Sequence, residues 1–305
     1  MIYAYGVTQQ GAYHVKKGLV CQDAHSIIRC GEDRVVAAVA DGLGSEEHSD
    51  IASRLAADIA TRYCAEHITR LSSDEEILDV IRQSFLLAQN RIEETAEENG
   101  DTTDQYDTTL SLAVLYGDAL YYGHAGDSGI VALTTEGLYR KVTEQQRDAE
   151  GRVYPLYFGQ EKWVIGKFAD PVASVFLATD GMYEILFPIY IRNEKVSIYV
   201  ALARYFMDPE VLGIREGGDE AAEKKIEAFM SSISPAQVSD DKTVVVIGNT
   251  DTVYARQSEE YYAEPDWPAL QRKYQEEWRR KAYPSLYEKE QEDQGEKPDN
   301  AGEDV

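Results

Sequence analysis

The stretch VVAAVADGLGS, from Val35 to Ser45, shows how a buried strand of this chain ends. Its uninterrupted run of small and β-branched apolar residues predicts a strand that is covered on both faces. The run stops at Asp41, and the glycines that follow predict a tight turn. A carboxylate at the end of a buried strand is costly to desolvate unless a cation shares the site. The stretch therefore directs attention to other acidic residues at strand ends.

Apolar patterns elsewhere predict an α+β fold of mainly antiparallel sheets. Apolar positions three or four residues apart predict one helix with Ser49 or Asp50 as its N-cap and another over residues 73–98. A β-rich stretch over residues 108–142 follows, in which YGDALYY and TTEGLYR mark hairpin turns. The segments YAYGVTQQG, ASVFLATDG and DDKTVVVIGN predict further strands. Blocks of helices and hairpins in this order are typical of layered α+β proteins.

The C-terminal part of the chain differs in composition. Leu270, Tyr274 and Trp278 stand at helical spacing and predict a helix, which either packs on the body of the protein or docks a partner. From about Gln291 onward, the polar and acidic sequence predicts disorder. Between residues 183 and 234, the pattern indicates helices that are less regular than the first two.

The charge balance excludes some classes of partner. Acidic residues outnumber basic ones by 55 to 30 among the 305 residues, which gives a formal charge of −25. Such a surface repels nucleic acids and anionic membranes, so neither is expected as a partner. The acidity has two explanations, which are solubility alone and a cluster of carboxylates that binds cations. The cysteines show no metal-binding spacing, the first residues do not resemble a signal peptide, and no apolar run reaches the roughly 20 residues that span a bilayer. We therefore expect a soluble, cytoplasmic protein.

Further acidic residues stand where an apolar or β-rich segment meets a turn. They are Asp23 in VCQDAH, Asp127 in HAGDSG, Asp180 in LATDGM, and Asp240 and Asp241 before the last strand. Each alone is typical of an ordinary turn or of a local hydrogen bond to the backbone. Several carboxylates converging with Asp41 on one sheet end would repel one another without a metal. Because Mg²⁺ and Mn²⁺ prefer oxygen ligands, the set predicts a divalent metal site.

Five stretches of the sequence carry a resemblance to a known family. In order, they are GAYHVKKGLVCQDAH, VVAAVADGLGSEEHSDIAS, DTTLSLAVLYGDALYYGHAGDSG, VFLATDGMYEIL and SDDKTVVVI. Together they resemble the type 2C family of metal-dependent Ser/Thr protein phosphatases over roughly residues 1–250, and the CQDA form is similar to a bacterial branch of it. The resemblance implies a four-layer αββα sandwich, in which two central antiparallel β-sheets are flanked by helix pairs.

The resemblance also implies a site for two Mn²⁺ or Mg²⁺ ions in a cleft at one end of the sandwich. Asp41 would bridge the two ions, and the carbonyl of Gly42 would help to hold one of them. Asp180 and Asp240 would hold the other ion. Asp240 matches the family's spacing to the last strand better than Asp241 does.

Two further carboxylates complete the implied site. Asp23 would lie beside the ions and orient a water, so that Asp41, Asp180 and Asp23 form the catalytic set. Asp127, together with Asp180, corresponds to a weaker third ion position. A water that bridges two divalent cations loses a proton more readily than bulk water, and the bridging metal-bound hydroxide would attack the phosphorus directly. The sequence shows no G-x-S-x-G nucleophile elbow, in agreement with a reaction that has no covalent intermediate.

A function and a domain division follow from the resemblance. The chain would hydrolyse phosphoserine and phosphothreonine in proteins, and its partners would be a bacterial Ser/Thr kinase and the substrates of that kinase. Residues 1–250 would form the catalytic domain, with a variable flap-like insertion at residues 187–234. Residues 251–290 would form a C-terminal helical extension, and residues 291–305 a disordered acidic tail.

The sequence departs from the family pattern at positions that handle phosphate and metal. Gln22 stands where an acidic residue commonly precedes the first Asp, and it can still ligate a metal through its amide oxygen. Gly18 stands near the place of a phosphate-binding Arg. His14, Lys16 and Lys17 lie just upstream and are candidates to supply the missing positive charge.

Other departures leave alternative functions open. Leu43 stands where many eukaryotic members carry a His proposed as a general acid, so His48 and His124 are candidates to protonate the leaving group. A second hypothesis is a catalytically weak regulator that binds phosphoproteins or an effector through the same scaffold. A third is a docking protein built around the helix at residues 267–278, which predicts that deleting the residues after Thr250 abolishes partner binding but spares hydrolysis.

Overall fold

Two antiparallel sheets form the centre of the part of the chain that this computed structural model describes, residues 1–192 and 194–284. The strands are β1 (Ile2–Gln9), β2 (Asp23–Arg29), β3 (Arg34–Asp41), β4 (Leu110–Tyr116), β5 (Ala119–Ala125), β6 (Gly129–Thr134), β7 (Tyr139–Lys141), β8 (Val164–Lys167), β9 (Val172–Ala178) and β10 (Lys242–Asn249). Sheet 1 has the order β1-β10-β9-β6-β7, and sheet 2 has the order β2-β3-β4-β5-β8. Neighbouring strands in both sheets run antiparallel, as predicted.

Helices cover the outer face of each sheet. The α-helices of the described residues are α1 (Ala12–Lys17), α2 (Ser49–His67), α3 (Asp74–Asn99), α4 (Asp180–Leu186), α5 (Val200–Met207), α6 (Pro209–Leu212), α7 (Ile214–Ser232), α8 (Glu259–Tyr262) and α9 (Trp267–Ala282). Helices α2 and α3 pack on sheet 2, where Ala56, Phe85 and Leu112 share one core. Helices α4 to α7 pack on sheet 1, where Phe176 and Phe206 share a second core. A third core lies between the sheets, so the predicted four-layer αββα sandwich is confirmed.

Strand β3 is buried on both faces, as its apolar run predicts. Val35, Ala37 and Val39 belong to the core between the sheets, whereas Val36 belongs to the core under α2 and α3. Because side chains alternate along a strand, Asp41 lies on the same side as the first set. The end of this strand therefore presents a carboxylate to the gap between the two sheets.

Two helix starts differ from the sequence pattern. Helix α2 begins at Ser49 with His48 at its N-cap, because the His48 backbone N–H donates to the Gln105 carbonyl (3.0 Å) and fixes the entry of the chain. The predicted cap was one or two residues later. Asp180, predicted to lie in a turn, is instead the first residue of α4 and follows the cap residue Thr179. Its carboxylate thus lies at a helix N-terminus, where the helix dipole favours negative charge.

The glycines after the strand-end carboxylates serve close packing rather than a tight bend. Neither Gly42 nor Gly181 has a positive φ. A Cβ at Gly42 would lie 2.4 Å from the Ser49 carbonyl oxygen, and one at Gly181 would lie 2.5 Å from the Asp241 carbonyl oxygen. The absence of a side chain therefore lets neighbouring backbone approach the carboxylates, which corrects the physical reason that the sequence suggests for these glycines.

Residues after β10 continue along the edge of sheet 1. The Ala255 backbone N–H donates to the Thr135 carbonyl (2.8 Å), and the Tyr139 backbone N–H donates to the Tyr261 hydroxyl (3.0 Å). This part of the C-terminal segment is therefore attached to the body of the protein.

Helix α9 packs on the segment between α4 and α5. The rings of Tyr274 and Tyr190 meet edge to face at 5.5 Å, and those of Trp267 and Tyr199 meet at 4.9 Å. These contacts favour packing on the body over a free docking helix, although α9 has no buried residue. The predicted acidic tail at 291–305 lies outside the described residues. Among the helices of residues 1–192 and 194–284, none is long and apolar enough to cross a membrane.

Candidate metal centre

The predicted metal ligands come from both sheets and meet at one end of the sandwich. Asp23 and Asp41 are direct partners across β2 and β3 of sheet 2. Asp180 follows β9 and Asp240 precedes β10, which are neighbouring strands of sheet 1. Asp127 lies between β5 and β6, where the chain passes from sheet 2 to sheet 1. The site is therefore assembled by the stacking of the two sheets.

Three of these carboxylates are crowded together. Asp41, Asp127 and Asp180 each place an oxygen within 4.8 Å of the others. Burial, and then repulsion by Asp23 and Asp180, raises the pKa of Asp41 well above its usual range. Burial, with repulsion by Asp127 and Asp240, raises the pKa of Asp180 to about 7. Because such crowding disfavours the ionised carboxylates, the cluster has the electrostatics of a cation site.

Asp23 is held by the hydroxyl group of Thr179, which is itself fixed by the backbone of β10. The Thr179 hydroxyl donates to Asp23 Oδ2 (2.8 Å), and the Thr243 backbone N–H donates to that hydroxyl in turn (3.1 Å). Burial raises the pKa of Asp23 well above its usual range, with a further contribution from neighbouring Asp241 and Asp180. The Asp23 carboxyl is thereby fixed beside Asp41 but is electrostatically unfavourable when ionised.

Asp240 and Asp241 are adjacent but have different environments. The Asp241 side chain is 3% exposed and accepts hydrogen bonds from the backbone N–H groups of Gly11 and Gln22, both at 2.6 Å. His14 Nδ1 lies 2.7 Å from Asp241 Oδ2, and His14 Nε2 lies 3.5 Å from Asp240 Oδ1. The Asp240 side chain is 60% exposed. Asp241 therefore ties the N-terminal segment to β10, whereas Asp240 keeps a carboxylate available to a ligand.

The donor set fits hard divalent ions. It consists of carboxylate oxygens, and such oxygens are the ligands that Mg²⁺ and Mn²⁺ prefer. Gln22 adds a neutral oxygen, since its Oε1 is buried without a hydrogen-bond partner while its Nε2 donates to the Ser49 hydroxyl at 2.7 Å. A buried oxygen without a partner is costly, so a bound cation or its water would stabilise this arrangement.

Two charged residues of the site were missed by sequence reasoning. Arg147 Nη2 lies 2.7 Å from Asp127 Oδ2, 3.3 Å from Asp180 Oδ2 and 3.0 Å from Glu184 Oε1. Glu184 could have been found, because it stands four residues after Asp180 and therefore shares a face of α4 with it. Arg147 lies in a polar loop without periodicity, so no sequence signal marks it.

The predicted basic residues are placed around α1. His14 is buried against the two aspartates that precede β10, whereas Lys16 and Lys17 are exposed at the end of this short helix. Their phosphate-binding role stays a prediction.

The two histidine candidates for the general acid are placed very differently. His124 is fully buried, with Nδ1 2.8 Å from the Ser111 hydroxyl and Nε2 3.0 Å from the Glu144 carbonyl. Because its side chain is buried and both ring nitrogens already have partners, His124 cannot reach a leaving group, and that prediction is wrong. Burial also lowers the pKa of His124 to about 4. His48 is partly exposed, and its Nε2 lies 3.3 Å from Asp101 Oδ2.

Comparison with known families agrees with this geometry. The family model described as protein phosphatase 2C matches residues 10–207, which is more than half of the chain. The chain belongs to the protein phosphatase 2C family. This membership makes it a protein serine/threonine phosphatase, as predicted. Asp23, Asp41, Asp127 and Asp180 lie within the matched residues, and Asp240 lies beyond them. No curated protein matches the sequence.

Solved structures share the fold of this phosphatase at low sequence identity. A bacterial serine phosphatase matches with a TM-score of 0.56 and 13% identity, over 84% of this chain and 100% of its own. The serine/threonine phosphatase Stp1 from Staphylococcus aureus matches with a TM-score of 0.56 and 14% identity, over 82% and 95%. Serine-threonine phosphatase 2C from Toxoplasma gondii matches with a TM-score of 0.55 and 14% identity, over 80% and 94%. These matches show a common architecture.

Proposed function

We propose that this protein is a metal-dependent phosphatase that removes phosphate from phosphoserine and phosphothreonine side chains of proteins. The observation that carries the proposal is the convergence of Asp41, Asp127 and Asp180 within 4.8 Å at the open end of the sandwich. The three carboxylates lie at or next to strand ends of both sheets, and they can all be ionised at this spacing only when cations balance their charge. Family membership supplies the reaction class.

Two Mn²⁺ or Mg²⁺ ions would be held by Asp41, Asp180, Asp240 and the carbonyl of Gly42. Bound there, the ions would lower the pKa of a shared water and neutralise the phosphoryl oxygens of the substrate. The chain's own residues keep this arrangement in place. The stacking of β3 against β9 and β10 fixes the spacing of the carboxylates, and Gly42 lets the Ser49 backbone close against the strand end.

Asp23 would position the attacking water. It is the cross-strand partner of Asp41, and directly opposed residues of an antiparallel pair place their side chains on the same face. The hydrogen bond from Thr179 occupies Asp23 Oδ2, so Oδ1 is the atom that would accept from the water. Asp23 thus acts by orientation, and Thr179 keeps it in the required rotamer.

The substrate would approach past α1. Lys16 and Lys17 are exposed there, and they offer positive charge in a chain whose formal charge is −25. Because the protein surface as a whole is acidic, a phosphorylated segment that bears basic residues fits it better than an acidic segment does. The substrates would be products of a Ser/Thr protein kinase. The free thiols of Cys21, Cys30 and Cys64 agree with a reducing, cytoplasmic setting.

Hydrolysis of p-nitrophenyl phosphate and of a phosphothreonine peptide in millimolar Mn²⁺ tests the proposal. We expect Asp180→Asn to lower the rate by more than about 100-fold, because even residues behind a metal's ligands cost 10- to 100-fold. Asp170→Asn is the matched control, since Asp170 is exposed in the turn before β9. A wild-type protein without Mn²⁺-dependent activity, or equal activity in the two variants, would refute the enzyme proposal.

A catalytically weak regulator is the alternative that the residues at positions 18 and 22 favour. Gln22 contributes no charge beside Asp23, and Gly18 leaves only exposed backbone at the end of α1. A regulator would bind the phosphothreonine peptide as tightly in Asp180→Asn as in the wild type and would hydrolyse it in neither. Fluorescence anisotropy of the labelled peptide, run beside the hydrolysis assay, separates the two functions.

A further inference from the structure

The cluster of carboxylates contains a positive charge supplied by the chain itself. Arg147 contacts Asp127 through Nε at 2.9 Å and Nη2 at 2.7 Å, and both atoms meet the same oxygen, Oδ2. Nη2 also lies 3.3 Å from Asp180 and 3.0 Å from Glu184. Asp127 is the most buried of the three partners, with a side chain only 4% exposed. Breaking this ion pair would leave the buried carboxylate of Asp127 without a partner, so the pair is harder to break than one on the surface.

The loop that carries Arg147 is clamped to the segment that carries Asp127. The Gln146 backbone N–H donates to the Gly126 carbonyl (2.8 Å), and the Gly126 N–H donates back to Gln146 Oε1 (3.0 Å). Gln145 Nε2 donates to the Asp127 carbonyl at 2.8 Å. Gly126 has a φ of 107°, and a Cβ there would lie 2.5 Å from the side chain of Thr109, so the clamp depends on glycine. Backbone and side-chain contacts thus aim the guanidinium before any ligand binds.

We infer that Arg147 is the resident cation on the Asp127 side of the cluster, so that divalent ions bind only on the side of Asp41 and Asp240 and Asp127 is not a metal ligand. A divalent ion beside Asp127 would lie next to the guanidinium that is already bound to Oδ2, and that guanidinium would repel it at short range. Arg147 would also reduce the mutual repulsion of Asp127 and Asp180 and hold Asp180 in place for the other ions. The inference rests on the proposed function and contradicts the third ion position that the family resemblance implies.

Counting bound Mn²⁺ by equilibrium dialysis and elemental analysis tests the inference. We expect two ions in the wild type and three in Arg147→Met, a variant of similar length without charge. The double variant Arg147→Met/Asp127→Asn returns to two, because the added position loses its ligand. Arg147→Lys keeps a positive charge and stays at two. Arg152→Met is the matched control, since Arg152 lies in the same loop with a side chain 77% exposed, and it stays at two.

Three ions in the wild type, or two in a folded Arg147→Met, overturn the inference. If Arg147→Met does not fold, Asp127→Asn alone gives the answer, because it leaves Arg147 in place. Its Mn²⁺ count should equal that of the wild type, and a lost ion overturns the inference. These outcomes are separate from the proposed function, which fails when the wild type shows no Mn²⁺-dependent hydrolysis whatever its ion count.

Discussion

The neighbours Asp240 and Asp241 offer a matched pair of substitutions with opposite expected effects. Asp241→Asn should destabilise the protein, because the Asp241 carboxylate is 3% exposed and accepts from the backbone N–H groups of Gly11 and Gln22. Asp240→Asn should leave stability almost unchanged and lower hydrolysis, because the Asp240 side chain is 60% exposed and contributes a proposed metal ligand. The two changes are chemically identical.

The expected magnitude for Asp241→Asn follows from its hydrogen bonds. An asparagine keeps one acceptor oxygen and turns an N–H₂ group toward the other backbone donor, so one buried N–H loses its partner. A buried donor without a partner costs about 1–3 kcal/mol, and a hydrogen bond to a charged group contributes about 1.5–3 kcal/mol. The free energy of unfolding should therefore fall by about 3 kcal/mol. At about 2 °C per kcal/mol for a chain of this size, Tm should fall by about 6 °C. Asp240→Asn, an exposed change, should stay within about 0.5 kcal/mol.

Differential scanning calorimetry in EDTA measures both effects without interference from metal. Hydrolysis of p-nitrophenyl phosphate in Mn²⁺, measured well below both Tm values, gives the activities. Equal Tm shifts in the two variants would refute these expectations. They would also be refuted if both variants were stable and only Asp241→Asn were inactive. The latter result would exchange the roles of the two residues.

Three further predictions address the packing of the site and its surroundings. Gly42→Ala should lower the free energy of unfolding in urea by about 1–3 kcal/mol, because its Cβ would meet the Ser49 carbonyl at 2.4 Å. Gly44→Ala should be nearly neutral, because the atom nearest to its Cβ would lie at 3.6 Å. Equal losses in the two variants would contradict this prediction. His124, whose pKa burial lowers to about 4, resists a proton that the unfolded chain accepts below about pH 6.5, so stability is lost as pH falls from about 6.5 to 4, by up to about 3 kcal/mol. The stability gap between the wild type and His124→Gln should therefore narrow over that range, and a constant gap would argue against it. A chain ending at Thr250 should lose several degrees of Tm, because it lacks the contacts of Ala255 and Tyr261 with sheet 1. A chain ending at Glu264 keeps those contacts and should have a Tm close to the full-length value. Similar losses in both would show that these contacts do not stabilise the protein.

Local patterns in the sequence predict the strands and the metal-ligand candidates, and contacts between distant segments decide the rest. The run from Val35 to Ala40 is apolar at every position, so burial on both faces follows from composition alone. The difference in burial between Asp240 and Asp241 does not follow from composition, because it depends on hydrogen-bond donors more than 200 residues away in the sequence. Arg147 reaches the cluster for a similar reason, since its position depends on pairing of its loop with residue 126. Short elements such as β8 and α1 have too few residues to show a periodic pattern.

The core between the two sheets has a consequence for how the chemistry of this protein can vary. Small and medium side chains such as Ala37, Val175 and Val245 set the thickness of that layer. Asp41 belongs to one sheet and Asp180 follows a strand of the other, so the distance between their carboxylates depends on the same layer. A substitution that widens the layer, far from any ligand, would part the two halves of the centre. The affinity for metal is thus open to adjustment from deep inside the protein, at positions that no substrate touches.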